Sequence, residues 1–240
     1  MTINNMGAVS TMGLTYMYAN LWSDTITWGG EFAPIQGDLV YVPAGLNLVV
    51  DVDSTPVLSA VIVEGSLIFP SDSDPTHQRT FDAYYIMVDG GYMEVGTEEF
   101  PYTSKLTITM HSTKYDPQLP IFGNKVIAIM NGQLEMHGVP RNPTWAELSM
   151  TSLVGSTQIT MIEAVDWQVG ETIIIAPTDY DPTHAEQRVI VAIDNTNPTN
   201  PVITIDSPLE FTHYSDIEYY GTDFIEMRGE VGLLSRNVLF

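Results

Sequence analysis

The 240-residue sequence contains no cysteine, which excludes disulfide staples and thiolate metal sites. Basic residues are scarce: eight Lys and Arg stand against 30 Asp and Glu, for a net charge of −22. That balance repels a phosphate backbone and argues against nucleic acid as a partner. Acidic carbohydrate is repelled for the same reason. No run approaches the ~18 apolar residues of a membrane-spanning helix, so no membrane insertion is expected of this segment. Met1-Thr2-Ile3-Asn4-Asn5-Met6 lacks the basic region and apolar run of a signal peptide. Asn142-Pro143-Thr144 and Asn197-Pro198-Thr199 carry the proline that disqualifies a glycosylation acceptor. Helical periodicity is missing before Arg141.

What the chain does contain is a repeated glycine corner. Aligned on Gly65, Gly91 and Gly132, apolar residues fall at five and three before each glycine (Ala60/Ile62, Ile86/Val88, Ile127/Ile129). They fall again at two and four after it (Leu67/Phe69, Met93/Val95, Leu134/Met136). Alternation on both sides of a corner buries one face of each strand. A single such coil cannot cover its apolar face, so coils must stack. The expected fold class is therefore all-β: a right-handed parallel β-helix (solenoid) with a small antiparallel β-barrel or sandwich-like insertion.

Four segments follow from the pattern. Residues 1–21 read as an N-terminal arm, 22–141 as the β-helix module, 142–228 as a β-rich insertion and 229–240 as the start of a further coil. Within the insertion, a turn of helix is expected near Trp145, then short strands separated by polar turns. The pattern at Val238-Leu239-Phe240 suggests a piece of a longer protein.

Trp28-Gly29, Gly37-Asp38, Gly45, Gly90-Gly91, Gly96-Thr97-Glu98, Phe122-Gly123 and Leu134-Glu135-Met136-His137-Gly138 together resemble the eight-glycine (G-eight) domain family. Val165-Asp166-Trp167, Thr178-Asp179-Tyr180, Glu186, His213 and Glu230-Val231-Gly232-Leu233-Leu234-Ser235-Arg236-Asn237 extend the resemblance over about residues 22–240. The family is that of fibrocystin, fibrocystin-like proteins and cell-surface hyaluronidases. It implies an extracellular or cell-surface β-helical module, and the expected role is non-catalytic: adhesion, glycan binding or structural assembly. Two alternatives stand beside it, a hyaluronan-type glycoside hydrolase domain and a subunit of a surface filament. The partners expected are an extracellular glycan or protein, or copies of the same chain.

Candidate chemistry is sparse. Asp51 and Asp53 lie two apart, and on a strand they share a face. With Glu98 on a neighbouring coil they would supply the carboxylate pair that glycoside cleavage needs. Asp72 and Asp74 make an oxygen-rich loop suited to Ca²⁺, the one cofactor the sequence suggests. Gly37, Gly45, Gly65, Gly90, Gly91, Gly96, Gly132 and Gly138 serve backbone shape: positive φ or close approach of coils.

Overall fold

The computed structural model describes residues 18–119 and 121–240, together with the backbone of Thr2–Asn4, Gly7–Val9 and Thr15–Tyr16. Those three strands form an antiparallel sheet, and the remainder of the expected arm up to residue 17 lies outside the described residues. The described residues are all-β, with two short 3₁₀ turns among them, Thr25–Trp28 and Pro182–His184. The chain divides into two units: Met1–Pro140 with Arg236–Phe240, and Arg141–Ser235.

In the first unit every corner glycine separates strands of two parallel sheets. Leu39–Val42, Ala60–Val63, Ile86–Asp89 and Ile127–Met130 make one. Asn20–Leu21, Asn47–Val49, Ser66–Ile68, Tyr92–Val95 and Gln133–Met136 make the other. A third parallel sheet holds Gln78–Ala83, Lys105–Met110 and Val238–Leu239. Inward residues from all three meet in one core that includes Val63, Leu67, Phe81, Val88, Met93 and Ile108.

One coil departs from the expected register. On the second sheet Ser66, Tyr92 and Gln133 align, as the glycine alignment requires. On the first sheet Val61 pairs with Ile86 and Val63 with Val88. Val61 and Val63 are therefore the buried residues, and Ala60 and Ile62 face outward. The reason is corner length: only Glu64 separates Val63 from Gly65, whereas Asp89 and Gly90 separate Val88 from Gly91. A one-residue slip exchanges the faces of a strand.

Two adjacent glycines serve different ends at the central corner. Gly90 has φ +71° with open space around it, and in the next coil Asn131 takes its place at φ +52°, a conformation Asn tolerates. Gly91 has no such φ; a Cβ there would lie 2.4 Å from the Val63 carbonyl oxygen and 2.6 Å from that of Gly65. The coils touch backbone to backbone.

Two polar groups tie this unit together. Arg79, 4% exposed, donates through Nε to the Val52 carbonyl (2.9 Å) and through Nη1 to the Pro70 carbonyl (2.7 Å) and the Tyr102 hydroxyl (3.2 Å). Asn237 donates through Nδ2 to the carbonyls of Tyr102 (2.6 Å) and Ser104 (2.8 Å) and accepts the Val139 amide at 2.9 Å.

The second unit is a six-stranded antiparallel sheet, in spatial order Trp145–Glu147, Glu230–Leu233, Thr172–Ile175, Glu186–Asp194, Val202–Ile205, Gln158–Thr160. Its core includes Trp167, Ile173, Ile190, Ile203 and Val231. Residues near Trp145 form a strand where helix is expected, because Trp145 and Glu147 pair with Gly232 and Glu230. Glu230–Leu233 belongs to this antiparallel sheet; the chain rejoins the parallel sheets at Val238–Leu239.

Candidate functional site

The carboxylates that the sequence nominates have separate partners. The strand Asn47–Val49 ends before them, so Asp51 and Asp53 do not share a strand face. Asp51 accepts the Ser23 amide at 2.9 Å and the Ser23 hydroxyl at 2.5 Å. Asp53 lies 3.1 Å from His77 Nε2. Glu98 is exposed in the turn after Gly96. Asp72 accepts the amide of Asp74 at 3.0 Å, and this bond holds its carboxyl below the usual range. Asp74 accepts the hydroxyl (2.7 Å) and amide (2.8 Å) of Thr76 and is lowered in the same direction. These bonds close successive turns of the loop. Among the described residues no group of three or more His, Cys, Asp or Glu side chains is arranged to hold a metal ion.

A cleft with the makings of a binding site lies in the second unit. Its volume is about 420 Å³, and Arg141, Asn142, Thr144, Trp145, Glu147 and Glu163 line it. Pockets of this size hold small ligands. Trp145 and Glu147 stand two apart on one strand and so share a face. Gly232 opposite Trp145 carries no side chain to cover the indole, which is 55% exposed. Arg141 is fixed in the wall by Glu171 Oε1, 3.1 Å from Nε and 2.9 Å from Nη2.

Glu147 is the unusual acid of this cleft. Burial pushes its carboxyl up, and the charges of Glu226, Glu230 and Glu163 push in the same direction against the pull of Arg228. A carboxyl whose native value lies above its unfolded one binds its proton longer in the native state. Stability from this group is full below the unfolded value and falls as pH rises through the native one. Glu147→Gln is therefore expected to raise the thermal midpoint at pH 7, with the gain vanishing near pH 3. Melts across that range check it.

A second cluster is closed to ligands. Glu186 is 4% exposed and His213 fully buried. Glu186 Oε1 accepts from the Phe211 amide (2.8 Å) and faces His213 Nε2 (2.9 Å); Oε2 accepts from the Glu210 amide (2.8 Å) and from Arg188. His213 Nδ1 lies 2.8 Å from the Ala176 carbonyl. Burial alone would raise the Glu186 carboxyl, but the two amides, His213 and Arg188 together bring it below the usual range. Every polar atom of the carboxylate is used internally, so the cluster reads as a structural lock.

Stacked parallel strands with backbone contact at glycine corners define the first unit as a repeat-built β module. The model of the G8 domain family matches residues 27–149, and the chain belongs to that family. It is 32% identical to fibrocystin-L of Homo sapiens over 239 residues, 99% of this chain and 6% of the relative. To fibrocystin of Canis lupus familiaris it is 27% identical over 234 residues, covering 95% of the chain and 6% of the relative. Protein rliB of Dictyostelium discoideum matches at 26% identity over 227 residues, 91% of the chain and 19% of the relative. The chain thus spans a small fraction of the length of these relatives.

The sequence signal for the cleft was present but ambiguous. Trp145 alternates with Glu147 in only three residues, too short to separate strand from helix. Burial raises Glu147 most, and of the charges around it Glu226, Arg228 and Glu230 lie far along the chain.

Proposed function

We propose that the chain is a non-catalytic module of a larger, fibrocystin-like extracellular or cell-surface protein, built as a parallel β-helix with an inserted antiparallel unit, and that it contacts glycan. The in-register parallel sheets of the first unit support the β-helix reading. Glycan contact rests on one observation: the open indole of Trp145 in a cleft that also offers Glu147, Glu163, Asn142 and Thr144. An aromatic face stacks on the apolar face of a sugar ring, and the surrounding oxygens and amide take its hydroxyls. With a net charge of −22, neutral sugars fit better than acidic ones.

A second reading, glycoside cleavage, has Glu147 in its favour, because burial and neighbouring carboxylates raise its carboxyl, the direction in which a general acid is tuned. The experiment is retention of a panel of neutral and acidic oligosaccharides on the immobilised chain, with hyaluronan and the same oligosaccharides assayed for shortening. Retention of neutral sugars, lost about tenfold or more in Trp145→Ala, is expected, with no shortening. Unchanged retention in Trp145→Ala sinks the cleft as the site. Shortening that Glu147→Gln abolishes establishes the catalytic reading.

A further inference from the structure

In the second unit, Asp216–Tyr220 and Asp223–Met227 form a hairpin that is a two-stranded sheet of its own. Its loop is Gly221 and Thr222, with Gly221 at φ +69°, the first central position where a type II′ turn requires glycine. An isolated two-stranded hairpin is marginal in water, and this one is fastened at its base. Arg228 donates to Glu226 Oε1 at 2.8 Å and to the carbonyls of Leu148 (3.1 Å) and Ser149 (2.8 Å). On the other strand Ser215 donates its hydroxyl to the Leu148 carbonyl and its amide to Thr151 Oγ1.

Beyond that base the hairpin carries large apolar groups in water. Tyr219 and Phe224 pair on one face with rings 6.3 Å apart, and are 72% and 63% exposed. Tyr220, Ile225 and Met227 stand exposed on the other face. Asp223–Met227 is exposed at every residue, and among the described residues no strand neighbours its outer edge. In a two-residue hairpin the pair beside the turn exchanges hydrogen bonds, so the next pair, here Tyr219 and Phe224, turns its amides outward. Edges of this kind are templates for another strand. Residues 216–227 also contain Asp216, Glu218, Asp223 and Glu226 and no Lys, Arg or His.

We propose that the hairpin is a docking edge for an extended, cationic protein segment that adds as a third strand along Asp223–Met227. Main-chain bonds to the outward amides would hold it, as in other strand additions. Alternate Lys or Arg side chains would meet Asp216, Glu218 and Asp223, which share one face with Tyr220 and Ile225, while the residues between them would cover Tyr219 and Phe224 on the other face. A second copy is a poor occupant, because two such edges bring carboxylates against carboxylates in a chain already at −22.

The probe is a short capped peptide of alternating Lys and Val, titrated into the full chain by calorimetry at low and at high salt, beside Lys-Gly and Glu-Val peptides of the same length. Saturable binding of the Lys-Val peptide is expected, weakened by salt. Asp223→Lys and Phe224→Pro should each lower the affinity about tenfold or more, the first through charge and the second by removing an outward amide. Hydrogen exchange at Glu218 and Ile225 reports whether the hairpin survives in each variant, and Asp223→Lys leaves its backbone untouched. Equal binding of Lys-Gly and Lys-Val peptides, or unchanged affinity in Asp223→Lys, overturns the proposal. So does absence of Lys-Val binding, or sedimentation showing that copies pair through this edge.

Discussion

Gly91→Ala is expected to destabilise the first unit by about 3 kcal/mol or more, whereas Gly90→Asn costs about 1 kcal/mol or less. The two glycines are neighbours at one corner, and only the physics differs. Gly90 is left-handed and faces open space, and Asn131 already fills the equivalent place in the next coil. A side chain at Gly91 instead meets the carbonyl oxygens of Val63 and Gly65 at 2.4 and 2.6 Å. Neither atom is the movable tip of a side chain; each belongs to the preceding coil's backbone, so relief requires the coils to part. Parting them breaks ladder bonds of Ala60–Val63 with Ile86–Asp89 and exposes Val63 and Val88. Urea denaturation of the full chain measures both losses as shifts in midpoint at constant slope. Equal losses for the two variants would mean that the coils do not touch at this corner.

Glu186→Ala should cost about 3–5 kcal/mol, the penalty for removing one partner of a buried ion pair. Arg188 would keep its guanidinium at 9% exposure, and the amides of Glu210 and Phe211 would lose their acceptor. The effect belongs to the second unit, where hydrogen exchange at Ile190, whose amide donates to the Glu171 carbonyl at 2.9 Å, reports unfolding. Acid supplies an independent sign. Since the native Glu186 carboxyl lies below its unfolded value, its contribution is present above the unfolded value and lost as pH falls through the native one. The wild-type chain should therefore lose stability on acidification more steeply than Glu186→Ala, and the two should converge at low pH. Parallel curves would assign the loss to cavity formation alone.

The stacking of strands about Gly65, Gly91 and Gly132 was legible because it rests on local alternation and on a residue type whose uses are few. The face of Ala60–Val63 was not, since it depends on one residue more or less in a corner, and a period of two gives no warning of a slip. Asp51 and Asp53 looked paired because the strand pattern runs on through Val52, yet the ladder stops at Val49 and Ser23 and His77 take the two carboxylates apart. Glu147 was invisible for the opposite reason. Its chemistry comes first from burial and then from charges that include Glu226 and Glu230, which reach it only through the pairing of Trp145–Glu147 with Glu230–Leu233 and through the hairpin before it.

The Asn237 clasp has a consequence in time. Its partners at Tyr102, Ser104 and Val139 are made early in synthesis, but the asparagine follows the whole of Arg141–Ser235. At roughly 5–20 residues per second, several seconds pass between the emergence of Lys105–Met110 and that of Val238–Leu239, the strand that covers its edge. During that interval the nascent chain exposes an unfinished parallel sheet beside Leu106. The time taken to synthesise Arg141–Ser235 sets how long that edge stays open to chaperones and to aggregation.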